Sequence, residues 1–363
     1  MFERTPEVTS SDHFKCTDYL FEPAVASSDV KMNTIIEARG LTKVYPPSTR
    51  AVNQVSFSVS EGEIFGFLGP NGAGKTTTIK MLTTLASITD GRCNVGGYDV
   101  RTQQDGVRRN IGLVPQDAAV DGDLTGMENL VLSARLYKVP DEEIKRKANE
   151  LIGLVGLDGA ARRLTRTYSG GMRKRLELIV GLIHEPKVLF LDEPTLGLDI
   201  QTRTAMWDYI KGINRDRKVT IFMTTHYLEE ADSLCGRVAI IDHGRIKALD
   251  SPNALKSSLG RDILEVELPE GPDISAKFSS MEGVTEVSRK GSVYSLRMEN
   301  SGKSLQEISV GLWELGLEVK DVRLTRSSLD QVFLNVTGRL IRDEVVDNAD
   351  SLIAMARAER ARN

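Results

Sequence analysis

Apolar and polar positions follow two different periods along this chain, and each change of period marks a new element. Val55–Val59 alternates every second residue, as a half-buried strand does. Ile64–Leu68 is a short apolar run that ends in a glycine-rich turn, and Thr76–Leu85 then carries helical spacing. Val188–Leu191 and Val219–Met223 are unbroken apolar runs, the pattern of strands covered on both faces. Between them Ile200–Ile213 is spaced as a helix. Buried strands separated by helices predict an α/β domain over residues 34–255 with a mainly parallel central sheet. Its midsection, about 120–180, is helix-rich and predicts a helical subdomain.

The pattern changes near residue 261. Ile263–Leu268 alternates, Asp273–Met281 is helical in spacing, and Val284–Arg289 and Val293–Met298 flank Lys290-Gly291-Ser292 as a hairpin. Leu305, Ile308, Leu312 and Leu315 share one helical face of Ser304–Leu315, and Glu318–Leu324 reads as a last strand. The order β-α-β-β-α-β over 261–337 is that of a small α+β, ferredoxin-like unit. A helix over Ser327–Thr337 closes it. Residues 1–33 are polar with no sustained period and are expected to be a disordered extension, with Met32 as an alternative start. Residues 338–363 form a charged tail.

Composition narrows the class. Of 363 residues, 40% are hydrophobic and 27% charged, as in an ordinary globular protein long enough for two domains. The net charge of −4 argues against binding nucleic acid through an overall basic surface. There is no apolar run near the roughly 18 residues that a membrane span requires. Cys16, Cys93 and Cys235 lie far apart, which fits a reducing compartment rather than a disulfide framework.

The chemistry centres on Gly69-Pro70-Asn71-Gly72-Ala73-Gly74-Lys75-Thr76, which satisfies G-x-x-x-x-G-K-[ST] between a strand and a helix. Its backbone N–H groups are expected to surround phosphate oxygens at a helix N-terminus. Lys75 is then expected to reach the β- and γ-phosphates of a nucleotide, Thr76 to ligate Mg²⁺, and Thr77 to hold the α-phosphate side. Val188–Glu193 is a buried strand that delivers carboxylates at its C-terminal end, 117 residues after Lys75. Asp192 is the expected partner of Mg²⁺ through water, and Glu193 the group that polarises attacking water.

Further motifs carry a resemblance. Tyr168-Ser169-Gly170-Gly171-Met172, with Ser169 23 residues before Asp192, resembles the Leu-Ser-Gly-Gly-Gln signature of ATP-binding cassette (ABC) proteins. Gln116 after Ile111–Pro115, Glu193–Asp199, Thr224-Thr225-His226 and Tyr45 stand in that family's order. The resemblance spans about residues 34–250. It implies an ATPase in which Gln116 touches Mg²⁺ or the lytic water, and His226 contacts the γ-phosphate and fixes Glu193. It also implies that Ser169, Gly170 and Gly171 close over ATP bound to a second copy, in a head-to-tail dimer. Tyr45 either stacks on adenine or packs on the sheet. Asp199 shapes the dimer contact, caps the following helix, or does both. Tyr168 and Met172 depart from the family's Leu and Gln, which puts the Gln contact in doubt.

The stretches Tyr168–Glu177, Thr224–Asp232 and Ser328–Leu334 resemble exporter ATPases of the ABC-2, daunorubicin-resistance type. That branch implies a separately encoded permease and a peripheral place on the cytoplasmic face of the membrane, with no nucleic-acid partner. The alternatives are a soluble ABC ATPase acting on ribosomes or DNA, and a nucleotide-dependent binding module without turnover. The C-terminal unit either stabilises or controls the dimer, or is a packing appendage.

Overall fold

Two sheets of different construction lie among the described residues up to 250. The computed structural model describes residues 33–338 except 118, 259–261, 270, 299–307, 309–318 and 326–327. In chain order, β1 (Thr34–Tyr45), β2 (Thr49–Ser60) and β3 (Ile64–Leu68) lead into α1 (Lys75–Leu82). Next come β4 (Asp90–Val95), β5 (Tyr98–Asp99), α2 (Gln104–Asn110) and β6 (Ile111–Val114). Three helices follow: α3 (Gly126–Leu136), α4 (Asp141–Leu154) and α5 (Gly170–Val180). The part closes with β7 (Val188–Asp192), α6 (Ile200–Arg217), β8 (Thr220–Thr225), α7 (Leu228–Leu234), β9 (Arg237–Asp242) and β10 (Arg245–Asp250).

The central sheet has the order β10-β9-β3-β8-β7-β6, parallel from β9 to β6 with β10 antiparallel at one edge. Every residue of β3, β7 and β8 is buried, which is why Ile64–Leu68, Val188–Leu191 and Ile221–Met223 carry no charged residue. A second sheet, β2-β1-β4-β5, is antiparallel. It was not expected, because register shifts near Gly40–Lys43 interrupt the alternation of β1. The two sheets meet through Phe57 of β2, whose ring centroid lies 5.6 Å from Phe65 and Phe67 and 5.7 Å from Phe222. Stacked and tilted rings at this spacing are favourable beyond their buried area.

The helical segment rests on short-range signals. Thr125 and Glu128 form a capping box at the start of α3. On α4, Ile144, Ala148, Leu151 and Ile152 fall on one buried stripe. Helix ends differ from expectation by a few residues. Helix α1 stops at Leu82, short of Leu85, where Thr84 turns to φ 64°. Helix α6 continues past Ile213 to Arg217.

The C-terminal elements are α8 (Pro252–Ser258), β11 (Asp262–Glu267), α9 (Ser275–Ser279), β12 (Val284–Lys290), β13 (Val293–Met298), β14 (Asp321–Thr325) and α10 (Leu329–Thr337). The sheet order is β12-β13-β11-β14 with every pair antiparallel, the pairing of a split β-α-β unit. The helix expected at Ser304–Leu315 lies outside the described residues except for Ile308, as do the expectations for residues 1–32 and 339–363. Ser328 caps α10, and Leu329, Val332 and Phe333 join the same core as Leu234 and Leu255. The last helix thus packs on α7 and α8 of the nucleotide-domain side, while β11–β14 enclose a separate core around Phe278 and Leu296.

Candidate active site

Strand β3 lies between β8 and β9, so residues 69–74 leave the sheet at the C-terminal edge where α/β folds place ligands. Gly74 sits at φ 103°, and a Cβ there would come 2.5 Å from the Ala51 carbonyl oxygen, so glycine alone fits. Asn71 and Gly72 face solvent, while Gly69, Pro70, Ala73 and Gly74 are buried. Lys75 folds back under the loop. Its Nζ donates to the carbonyls of Gly69 at 2.7 Å and Pro70 at 3.0 Å, and lies 3.0 Å from Glu193 Oε1. Thr76 and Thr77 follow on the first turn of α1, both partly buried.

Strand β7 ends beside this loop, and its two carboxylates part company. Asp192 is buried, and its Oδ1 accepts from Thr224 Oγ1 at 2.6 Å and Thr76 Oγ1 at 3.2 Å. Glu193 has φ 51°, rare for a residue with a side chain. Its N–H donates to Thr224 O at 3.2 Å and Oγ1 at 3.0 Å, which holds the strained turn in place. The Glu193 carboxylate bridges Lys75 and His226, with His226 Nδ1 3.2 Å from Oε2. Burial acts to raise its pKa, but the His226 hydrogen bond and the Lys75 charge more than reverse this and bring it down to about 2.

Gln116 follows β6, whose Val114 pairs with Leu191, so Gln116 emerges at the same sheet edge as Asp192. It is exposed, and its carbonyl accepts from Lys174 Nζ at 3.1 Å. Tyr45 ends β1 opposite Thr49, two residues before the Ala51 that backs Gly74. Its ring is exposed rather than packed in the sheet, with Lys43 Nζ 5.0 Å from the centroid.

The Ser169 turn lies on a different framework. Ser169 caps α5, its Oγ accepting from Met172 N at 3.3 Å, and it is exposed together with Gly170. Gly171 is buried against α6, where a Cβ would come 2.4 Å from Thr202 Cγ2. Asp199 caps α6, accepting from Thr202 N at 2.9 Å and Thr202 Oγ1 at 2.7 Å. The cap is therefore present, and the turn and Asp199 share one patch at the start of α6. Among the described residues, no hydrogen bond joins this patch to the Lys75–Asp192–Glu193 cluster. Tyr168 faces inward and donates to the Ala160 carbonyl at 2.7 Å, and Met172 packs against the helical core. Both departures from the signature thus serve the subdomain.

Two features escaped sequence reasoning. Thr224 binds both Asp192 and Glu193, whereas the Thr224-Thr225-His226 motif had marked it only as a neighbour of His226. Glu230 is fully buried, and its Oε1 accepts from Thr195 Oγ1 at 2.8 Å and Trp207 Nε1 at 3.1 Å. Burial raises its pKa. The signal was a glutamate beside Ala231 on the inward face of α7.

Among the described residues, no group of three or more His, Cys, Asp or Glu stands ready to hold a metal ion. Asp192 and the Thr76 hydroxyl instead offer hard oxygen donors at one point, which fits a magnesium ion that shares substrate phosphates.

A glycine-rich loop cradling a buried lysine, with two carboxylates and a histidine at one sheet edge, defines a P-loop nucleotide hydrolase of the ATP-binding cassette class. The ABC transporter family matches residues 52–196, and the C-terminal domain of DrrA1-3-like ATP-binding proteins matches residues 251–337. The chain is 42% identical over 319 residues to the daunorubicin/doxorubicin resistance ATP-binding protein DrrA of Streptomyces peucetius, covering 86% of this chain and 96% of that protein. It is 33% identical over 315 residues to the linearmycin resistance ATP-binding protein LnrL of Bacillus subtilis (strain 168), covering 85% and 100%. The structure of cbiO1 from Clostridium perfringens, part of the ABC transporter complex cbiONQ, superposes with a TM-score of 0.58 at 25% identity, over 61% of this chain and 90% of that one. The chain belongs to the ABC transporter ATP-binding proteins, in the drug-resistance family that includes DrrA, and is an ATPase converting ATP and water to ADP and phosphate.

Proposed function

We propose that the chain is the nucleotide-hydrolysing subunit of an exporter whose membrane-spanning part is a separate protein. No helix among the described residues is long and apolar enough to cross a membrane. Relatives named for resistance to daunorubicin, doxorubicin and linearmycin support a hydrophobic compound as cargo. The chain then works at the cytoplasmic face, with the permease contacting the region of Gln116 and residues 117–124.

ATP lies with its phosphates on residues 69–77 and its adenine against Tyr45. The Lys75 ammonium exchanges neutral carbonyl partners for β- and γ-phosphate oxygens. Thr76 and Asp192, with Gln116 nearby, would hold a magnesium ion, which would neutralise phosphate charge. Glu193 accepts a hydrogen bond from the attacking water. The His226 contact favours the charged carboxylate, which suits Glu193 to orienting and polarising the water. His226 fixes Glu193 from the other side and meets the γ-phosphate. Transfer is in line, driven by positioning and electrostatics, with no covalent intermediate.

One observation carries the mechanism: Ser169 and Gly170 are exposed on a patch separate from Lys75, so each chain presents two half-sites. A second copy placed head to tail brings Ser169, Gly170, Gly171 and Asp199 over the first copy's ATP. The test is crosslinking of Ser169→Cys to Asn71→Cys in a Glu193→Gln, Cys16→Ser chain, where Cys93 and Cys235 are buried. ATP should produce a crosslinked dimer and ADP should not. Failure of the crosslink with ATP would refute the trans arrangement.

A further inference from the structure

Helix α5 carries two charged residues that turn inward, toward the loop after β6. The Glu177 side chain is 1% exposed, flanked by buried Leu176 and Leu178. Its Oε1 accepts from the backbone N–H of Ala119 at 3.2 Å. Its Oε2 lies 3.0 Å from Lys174 Nζ, an ion-pair contact without hydrogen-bond alignment. Lys174 aims its hydrogen bond elsewhere, at the Gln116 carbonyl, at 3.1 Å. The i,i+3 spacing puts both groups on one side of the helix.

A buried carboxylate is costly next to an apolar residue of the same volume unless it gains specific partners. Here the partners are main-chain groups at positions 116 and 119. Both grips on the loop therefore act whatever side chains it carries. The other end of the same helix is the Ser169 cap. Lys174 is five residues from Ser169, about 7.5 Å along the axis, so a shift of the loop is passed to the cap by a rigid element.

We infer that Lys174 and Glu177 form a positioning clamp that makes the Gln116 loop and α5 one mechanical unit, so that nucleotide met by Gln116 at one site sets how Ser169 and Gly170 are presented to the nucleotide of a second copy. The inference rests on the trans arrangement proposed above. It adds a route by which each site reports its occupancy to the other. Neither residue touches nucleotide; both act through the backbone they hold.

The experiment compares full-length Glu193→Gln chains with and without Lys174→Met, Lys174→Arg or Glu177→Gln. ATP-driven dimerisation is measured by analytical ultracentrifugation, and ADP binding by calorimetry. Lys174→Met should weaken ATP-driven dimerisation at least tenfold while ADP affinity stays within twofold. Lys174→Arg, which keeps the donor, should recover dimerisation to within threefold. Glu177→Gln keeps an acceptor for Ala119 and should fall between the two, which tests the clamp without emptying the core. An undiminished dimer in the Lys174→Met chain would overturn the clamp alone. So would a loss of ADP affinity equal to the loss of dimerisation, or no recovery in Lys174→Arg. A Glu193→Gln chain that stays monomeric with ATP would overturn the trans arrangement and the clamp with it.

Discussion

Thr224→Val is a sharp probe of how the site is organised, because valine matches threonine in shape and removes only the hydroxyl. That hydroxyl donates the 2.6 Å bond to Asp192, and the remaining Thr76 bond is longer, at 3.2 Å. Glu193 N–H retains the Thr224 carbonyl at 3.2 Å, so no buried donor is orphaned and the effect falls on Asp192. A hydrogen bond to a buried charged group contributes ~1.5–3 kcal/mol. The unfolding free energy should fall by about that amount, seen as a lower urea midpoint at an unchanged slope. A wandering Asp192 should also lower kcat by roughly 10–100-fold, since each ~1.4 kcal/mol of lost orientation is a factor of ten. Asp192 keeps its bond to Thr76, so the phosphate loop stays in place and ADP affinity should fall less than kcat. Thr224→Ser should restore both quantities. A Thr224→Val chain with unaltered urea midpoint and kcat would refute the view that this hydroxyl orients the carboxylate.

Glu193 has its pKa lowered to about 2 from 4.5, so the stability it contributes is present above pH 4.5 and is lost as pH falls toward 2. Acid unfolding of Glu193→Gln, followed by circular dichroism, should therefore be less steep between pH 4.5 and 2 than that of the unmodified chain. Glu230 is shifted the other way, and its neutral form suits the fold. Relative to the unmodified chain, Glu230→Gln should gain unfolding free energy as pH rises from 4 to 8 in urea titrations. Phe333 is 1% exposed in the core it shares with Leu234 and Leu255. Phe333→Ala should cost ~3–5 kcal/mol and lower the melting temperature of the whole chain, whereas an independent appendage would leave the main calorimetric transition in place. Tyr168→Phe removes the bond to the Ala160 carbonyl and should cost about 1 kcal/mol, with ADP binding unchanged.

Local chemistry is legible in the linear order of residues. A G-x-x-x-x-G-K-T turn between a strand and a helix is the pattern of a phosphate loop, and its last glycine is needed because Gly74 adopts a left-handed backbone against Ala51. The apolar stretches within β3, β7 and β8 declare strands covered on both faces, and a carboxylate ending such a strand must emerge at the sheet edge. These signals survive because each depends on neighbours a few residues away. The antiparallel sheet was hidden because pairing of Ile36 with Val59 and Val95 is decided across the fold, while bulges break the alternation along β1. Thr224 and Glu230 gained their roles in the same way, from partners 32 and 35 residues distant. The clamp at Lys174 and Glu177 spans 58 residues to the loop it holds. A threonine, a lysine and two glutamates look solvated or helical when read alone. Only burial beside a second charged or polar group makes them structural, and burial is a property of the packed chain.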